Sequence, residues 1–278
     1  MVGKELDGSS DNRNYRQKGI DKYFEWPASA GADKNQFNGF MEKKVPMQAF
    51  KNAKWIKQKF PLVMLVHGYA ADYAYLGEYL ASFGNVVMQV PVKGTTQYEL
   101  DYEGKGLETQ VLDYEFALTV LQKEFPYLSG EAAVAGFSFG GQSAVALSLR
   151  NKSIKAVVSL EGGIGSVFGA QLLSNQSYYR EKDIVAPILH LYNPGDPYTD
   201  LTWFNSIPYS ERFLAAMKNK ADPGNGYETV MLLTKEFLEQ SLNKSLNAYS
   251  NFFDQQKKTN GWIEVCIAGA TIRALGTS

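Results

Sequence analysis

A chain of 278 residues with 45% hydrophobic and 13% aromatic side chains has ample material for a core, which excludes disorder of the whole chain. Its 28 basic and 29 acidic residues leave a net charge of -1, so no general electrostatic attraction to nucleic acid or to an acidic membrane surface is expected. The single cysteine, Cys266, has no partner for an internal disulfide or a cysteine metal site.

The first stretch, through Gly19, is rich in Ser, Asp, Asn and Lys and lacks apolar periodicity; a flexible arm over residues 1–19 is expected. It is polar and unlike a signal peptide, and no apolar run reaches the length of a membrane span. IDKYFEW and VPMQAF alternate apolar with polar residues and predict two half-exposed antiparallel strands. The lysines at 43, 44, 51, 54, 57 and 59 read as a solvated edge, with a basic docking patch as the sharper alternative.

From Pro61 short apolar runs alternate with helical patterns: LVMLVH, AYLGEYLASFG, NVVMQVPV, LETQVLDYEFALTVLQKEF, AAVAGFS, GGQSAVALSLR, IKAVVSLEGG and APILHLYN. Apolar runs without alternation suit strands covered on both faces, and this order predicts an α/β fold with a mostly parallel, doubly wound sheet and helices on both faces. In the longest helix Leu107, Val111, Leu112, Phe116, Val120 and Leu121 are expected to form the face that packs on the sheet. The last strand is either ERFLAAMK or WIEVCIAGAT, with a helix over TVMLLTKEFLEQSL between them.

The stretch VAGFSFGGQS places Gly136, Ser138 and Gly140 in a G-x-S-x-G spacing between a strand and a helix. A serine on such a turn is displayed at the carboxyl edge of the sheet, with the N-terminus of the next helix directed at any oxyanion forming there. That makes Ser138 the candidate nucleophile, and nucleophilic serine needs a base to take its proton.

HGY after LVMLVH, LASFGNVVMQVPVKG, the LDYEFAL helix, GFSFGG and AVVSLEGG resemble, in order and spacing, the α/β-hydrolase superfamily, over about residues 60–200. More narrowly they resemble its branch of platelet-activating-factor-acetylhydrolase-like and dienelactone-hydrolase-like esterases. The resemblance implies one eight-stranded domain over 20–278, with the tail beyond about 255 unaccounted for. It also implies a serine, acid, histidine triad in that chain order, no metal or organic cofactor, and small-molecule carboxylic ester or lipid-like substrates. The oxyanion donors would be the backbone N–H groups of Tyr69 and Phe139. Where members of the branch often carry histidine before the nucleophile, this chain has Phe137.

Asp196, in the turn NPGDPYTD, matches the acid position; Glu161 at the end of SLEGG is an alternative, and Asp200 a neighbour. The base is not identified. The chain has two histidines, His67 and His190, and neither follows the last strand. His190 lies within PILHLYN, six positions before Asp196, so at about 3.3 Å per residue it is expected below the edge that displays Ser138, as a core histidine and a weak candidate base. His67 belongs to the oxyanion side, and Asn219, Lys220 and Asp222 occupy the region where the base belongs. A catalytically impaired homologue that binds a small molecule is therefore the alternative to a working esterase.

Overall fold

The computed structural model describes residues 49, 54, 56–68, 74–91, 94, 100–217, 223–243, 246–259 and 263–268. The chain divides between Ile56 and Lys57 into two compact units, and the second, Lys57–Ser278, holds the sheet. The expected N-terminal arm and the strands IDKYFEW and VPMQAF lie outside the described residues, as do Tyr69, Asn219, Lys220 and Asp222.

Among the described residues of this unit, seven strands and seven α-helices follow one another: β1 Phe60–Val66, α1 Ala74–Ser82, β2 Val86–Gln89, α2 Gly104–Glu124, β3 Leu128–Phe137, α3 Phe139–Arg150, β4 Ile154–Leu160, α4 Val167–Ser174, β5 Ile188–Tyr192, α5 Thr202–Ser206, β6 Arg212–Met217, α6 Pro223–Leu242, α7 Leu246–Thr259 and β7 Ile263–Ala268. They form one sheet in the order β2-β1-β3-β4-β5-β6-β7. The first six strands are parallel, and β7 returns antiparallel along β6, with Met217 opposite Ile263. Both ERFLAAMK and WIEVCIAGAT therefore hold strands.

Successive side chains of a strand point to opposite faces, so a parallel sheet covered twice needs apolar residues at every position. In β3, Ala132 and Val134 face a layer of α2, α3, α4 and α5 built on Leu107, Val111, Val145, Leu173 and Phe204. Ala133 and Ala135 face the opposite layer of α1, α6 and α7. There Phe213 is ringed by Phe237, Tyr249 and Phe253 at centroid distances of 5.8, 4.9 and 5.6 Å, all edge-on.

The phase of α2 differs from the sequence expectation. Leu107 and Val111 are buried, but Leu112 is 48% and Phe116 73% exposed. The buried stripe runs instead through Leu107, Gln110, Val111, Tyr114 and Leu118. Aliphatic residues alone misplace it, because Gln110 and Tyr114 are held inward by hydrogen bonds to the end of β1. At its far side α2 is fixed to α3 by Arg150, which donates to Glu115 through Nε (2.8 Å) and Nη2 (2.7 Å) and to Glu108 through Nη1 (2.6 Å).

Candidate functional site

In an open parallel sheet the carboxyl ends of the strands define one edge, and a crevice opens where the strand order reverses. Here the chain passes from β1 outward to β2 and then back across to β3, so the reversal falls between the ends of β1 and β3. His67 and Gly68 follow the first, and Ser138 follows the second.

Ser138 has φ 51° and ψ -122°, a conformation that L-residues rarely adopt, and α3 begins at the next residue. Four groups hold it there. Its N–H donates to Leu160 O (3.1 Å), and its own carbonyl accepts from Gly141 N (2.9 Å) and Gly163 N (2.9 Å). With its nitrogen turned toward them, the side-chain amide of Gln142 donates to Ser138 O (2.9 Å) and Phe139 O (3.0 Å). The backbone around this turn leaves no room for side chains: a Cβ on Gly140 would run into the Val66 carbonyl. On the other side, a Cβ on Gly68 would lie 2.7 Å from Ser138 Cβ and 3.0 Å from Phe139 N. The loop after β1 is thus pressed directly against the serine.

Phe139 is the first residue of α3, among the N–H groups that have no acceptor within their own helix. Its ring is buried and meets Tyr102 edge-on at 5.2 Å. Phe137, partly exposed, precedes the serine at the end of β3.

Glu161 occupies the equivalent place one strand along. It follows β4, is exposed, and is the other non-glycine residue with positive φ (43°) among the described residues. Its N–H donates to Leu191 O at 2.7 Å. Asp196 lies one strand farther, in the turn after β5, where its N–H donates to Asn193 O (3.1 Å) and its Oδ1 accepts from Tyr198 N (2.9 Å). Asp200 ties that loop back toward the serine, donating through N to Gly165 O at 2.7 Å. Its Oδ1 accepts from Thr202 N, and hydrogen bonding from Thr202 holds the carboxyl below its ordinary pKa.

The histidines sit differently. His190, 1% exposed, points from β5 into the α2–α5 layer, its Nδ1 3.0 Å from Ser159 Oγ and its ring stacked on Tyr192 at 5.6 Å. Burial lowers its pKa to about 4, with the interaction at Ser159 opposing the shift, so the ring is neutral at pH 7. Its Nε2 is buried beside Gly165 and has no hydrogen-bond partner among the described residues. His67 is 8% exposed, and its carbonyl accepts from Gln110 Nε2 at 2.8 Å.

The chain matches no family model and no curated protein.

What the edge brings together is therefore a strained serine, the first N–H of α3, a glycine packed on both, and a carboxylate at the end of the neighbouring strand. Asp196 stands one strand beyond them, and His190 lies beneath. Among the described residues no group of three or more His, Cys, Asp or Glu side chains is placed to hold a metal ion, and no helix is long and apolar enough to cross a membrane. Gln110, Ser143 and Gln142, which brace the site from behind, carry no motif. Their only trace in the sequence is polar residues at positions of α2 and α3 that helical spacing turns toward the sheet.

Proposed function

We propose that this carboxyl edge is an acyl-transfer site and that the chain is a serine hydrolase of the α/β-hydrolase superfamily, related to its platelet-activating-factor-acetylhydrolase-like and dienelactone-hydrolase-like esterases. The observation that carries the reading is the backbone of Ser138, φ 51° at a strand-to-helix turn. Such strain costs on the order of 1–3 kcal/mol and persists where the surroundings enforce it, characteristically at functional sites. In the reaction Ser138 Oγ bonds to the ester carbonyl carbon while its proton passes to a base. The Phe139 N–H, with Tyr69 N–H as second donor, stabilises the oxyanion, which collapses to the acyl-enzyme as the alcohol leaves with a proton. Water then releases the acid and regenerates the serine.

The substrate fitting this edge is uncharged and apolar. Tyr102, Val167, Phe168 and Tyr198, on segments opening at the carboxyl edge, are 39%, 47%, 73% and 70% exposed. Asp196 and Glu161 are the candidate acids.

A second reading, a catalytically impaired homologue that binds its small molecule without turning it over, is favoured by the histidines: His190 is sealed inside and His67 is buried at the loop after β1. Loss of the imidazole from a serine triad lowers turnover by about 10⁶, leaving about 10³–10⁴ over water from the oxyanion hole and binding. Hydrolysis of p-nitrophenyl butyrate by the parent and by Ser138→Ala decides between them. A Ser138-dependent rate is expected; equal rates refute the nucleophile, and a kcat above about 1 s⁻¹ refutes the impaired homologue.

A further inference from the structure

We infer that Gln110 and Ser143 are positioning residues that set the spacing of the two oxyanion-donating segments at Ser138, an inference that rests on the acyl-transfer reading above. The two segments come from different parts of the chain. One is the loop after β1 that begins with His67 and Gly68; the other is the first turn of α3. Between them runs a buried relay. Ser143 Oγ, four residues after Phe139 on α3, donates to Gln110 Oε1 on α2, and Gln110 Nε2 donates to His67 O at 2.8 Å. Tyr114, one helical turn after Gln110, donates through its hydroxyl to Leu65 O, and the same hydroxyl receives Val90 N at 3.3 Å.

The spacing explains why one helix can grip one strand end. Carbonyls two residues apart on a strand are separated by about 6.6 Å, and side chains four residues apart on a helix by about 6 Å. Gln110 and Tyr114 therefore meet Leu65 and His67 in register. Gln110 is 3%, Tyr114 1% and Ser143 0% exposed, so water does not compete for these bonds. Beyond His67 there is little slack: at Gly68 even an added Cβ would lie 2.7 Å from Ser138 Cβ and 3.0 Å from Phe139 N.

A purely structural network would alter stability and leave the chemistry of the acylated serine alone. A positioning role changes how strongly the acyl carbonyl is hydrogen-bonded, because a displacement of about 1 Å at a reacting centre costs about 10²-fold. The test uses the full chain as parent, Gln110→Leu and Ser143→Ala. Phosphorylation of Ser138 by diethyl p-nitrophenyl phosphate is followed by release of p-nitrophenol and located by mass spectrometry. In parallel, the carbonyl stretch of the acyl-enzyme formed from a 13C-labelled p-nitrophenyl ester is read by infrared difference spectroscopy. Gln110→Leu is expected to slow labelling about 10- to 100-fold and to raise the stretching frequency; Ser143→Ala, which leaves the bond to His67, moves both the same way by less. If Gln110→Leu fails to melt cooperatively, Ser143→Ala decides. Labelling rate and frequency unchanged in the folded variants, with the parent labelled, overturn the positioning role alone. A parent not labelled at Ser138 overturns the nucleophile and this inference with it.

Discussion

The burial of His190 makes the stability of this fold depend on pH in a direction and by an amount that follow from its surroundings. The ring has a pKa of about 4 in the folded chain against an ordinary value of 6.5, because burial against Tyr192 and Phe204 removes the water that would solvate its charge, with the interaction at Ser159 opposing the shift. Above pH 6.5 it is neutral whether the chain is folded or not, and its full contribution is present. As the pH falls through 6.5 the unfolded chain takes up a proton that the folded one refuses, and stability drops until the folded ring also titrates near pH 4. At about 1.4 kcal/mol per pH unit the total loss is ~3 kcal/mol, of which about 2 kcal/mol is reached at pH 5. Urea unfolding followed by tryptophan fluorescence at pH 7.5 and 5.0, on the parent and on His190→Leu, isolates this contribution, since every other group titrates in both proteins. The free-energy difference between them should shift by about 2 kcal/mol in favour of the variant at the lower pH. With only two histidines in the chain, imidazole NMR reads the same quantity directly. Parallel pH dependences, or two histidine resonances both titrating near 6.5, refute the reasoning.

Ser138→Gly relieves the backbone strain at φ 51° and should raise the unfolding free energy by about 1 kcal/mol, whereas Ser138→Ala, which keeps a Cβ, should not; equal denaturation midpoints for the two variants would count against strain at this residue. Phe116→Glu should change stability by no more than about 0.5 kcal/mol in thermal melts because the side chain is 73% exposed, while a loss above about 2 kcal/mol would restore the face expected from sequence. Phe237→Ala empties a fully buried site against Phe213 and Tyr249 and should cost about 3–5 kcal/mol by chemical denaturation; a loss under 1 kcal/mol would mean that this layer is not packed as described.

The alternation of strands and helices was legible because doubly covered strands must be apolar throughout, as LVMLV and AAVAG are. That Ser138 would leave a strand and open a helix was legible from the small residues at 136 and 140. The interior position of His190 followed from counting residues back from Asp196. Strand direction was not legible: WIEVCIAGAT and ERFLAAMK carry similar apolar runs, and nothing in such a run says that one lies antiparallel to the other. The phase of α2 was misjudged because Gln110 and Tyr114 count as polar or ambivalent while their tips are satisfied inside, by Ser143 and by the β1 carbonyls. Nor did SLEGG announce a left-handed glutamate. The glycines after Glu161 look like the turn itself, and the positive φ falls one residue earlier.

The backbone bonds at the strand ends form a staircase. Ser138 rests its N–H on the last residue of β4, and Glu161 rests its N–H on the last residue but one of β5. Each of these N–H bonds runs from main chain to the main chain of the strand beside it. Exchanges among apolar side chains of similar size along β4 or β5 therefore leave these two N–H bonds in place, so long as the length and register of the strands are kept. Removing a single residue from β5 is another matter: its partners would slip by one, Glu161 would lose its support, and the disturbance would pass across β4 to a serine two strands away. In this fold the shape of the serine turn depends on the count of residues in its neighbouring strands.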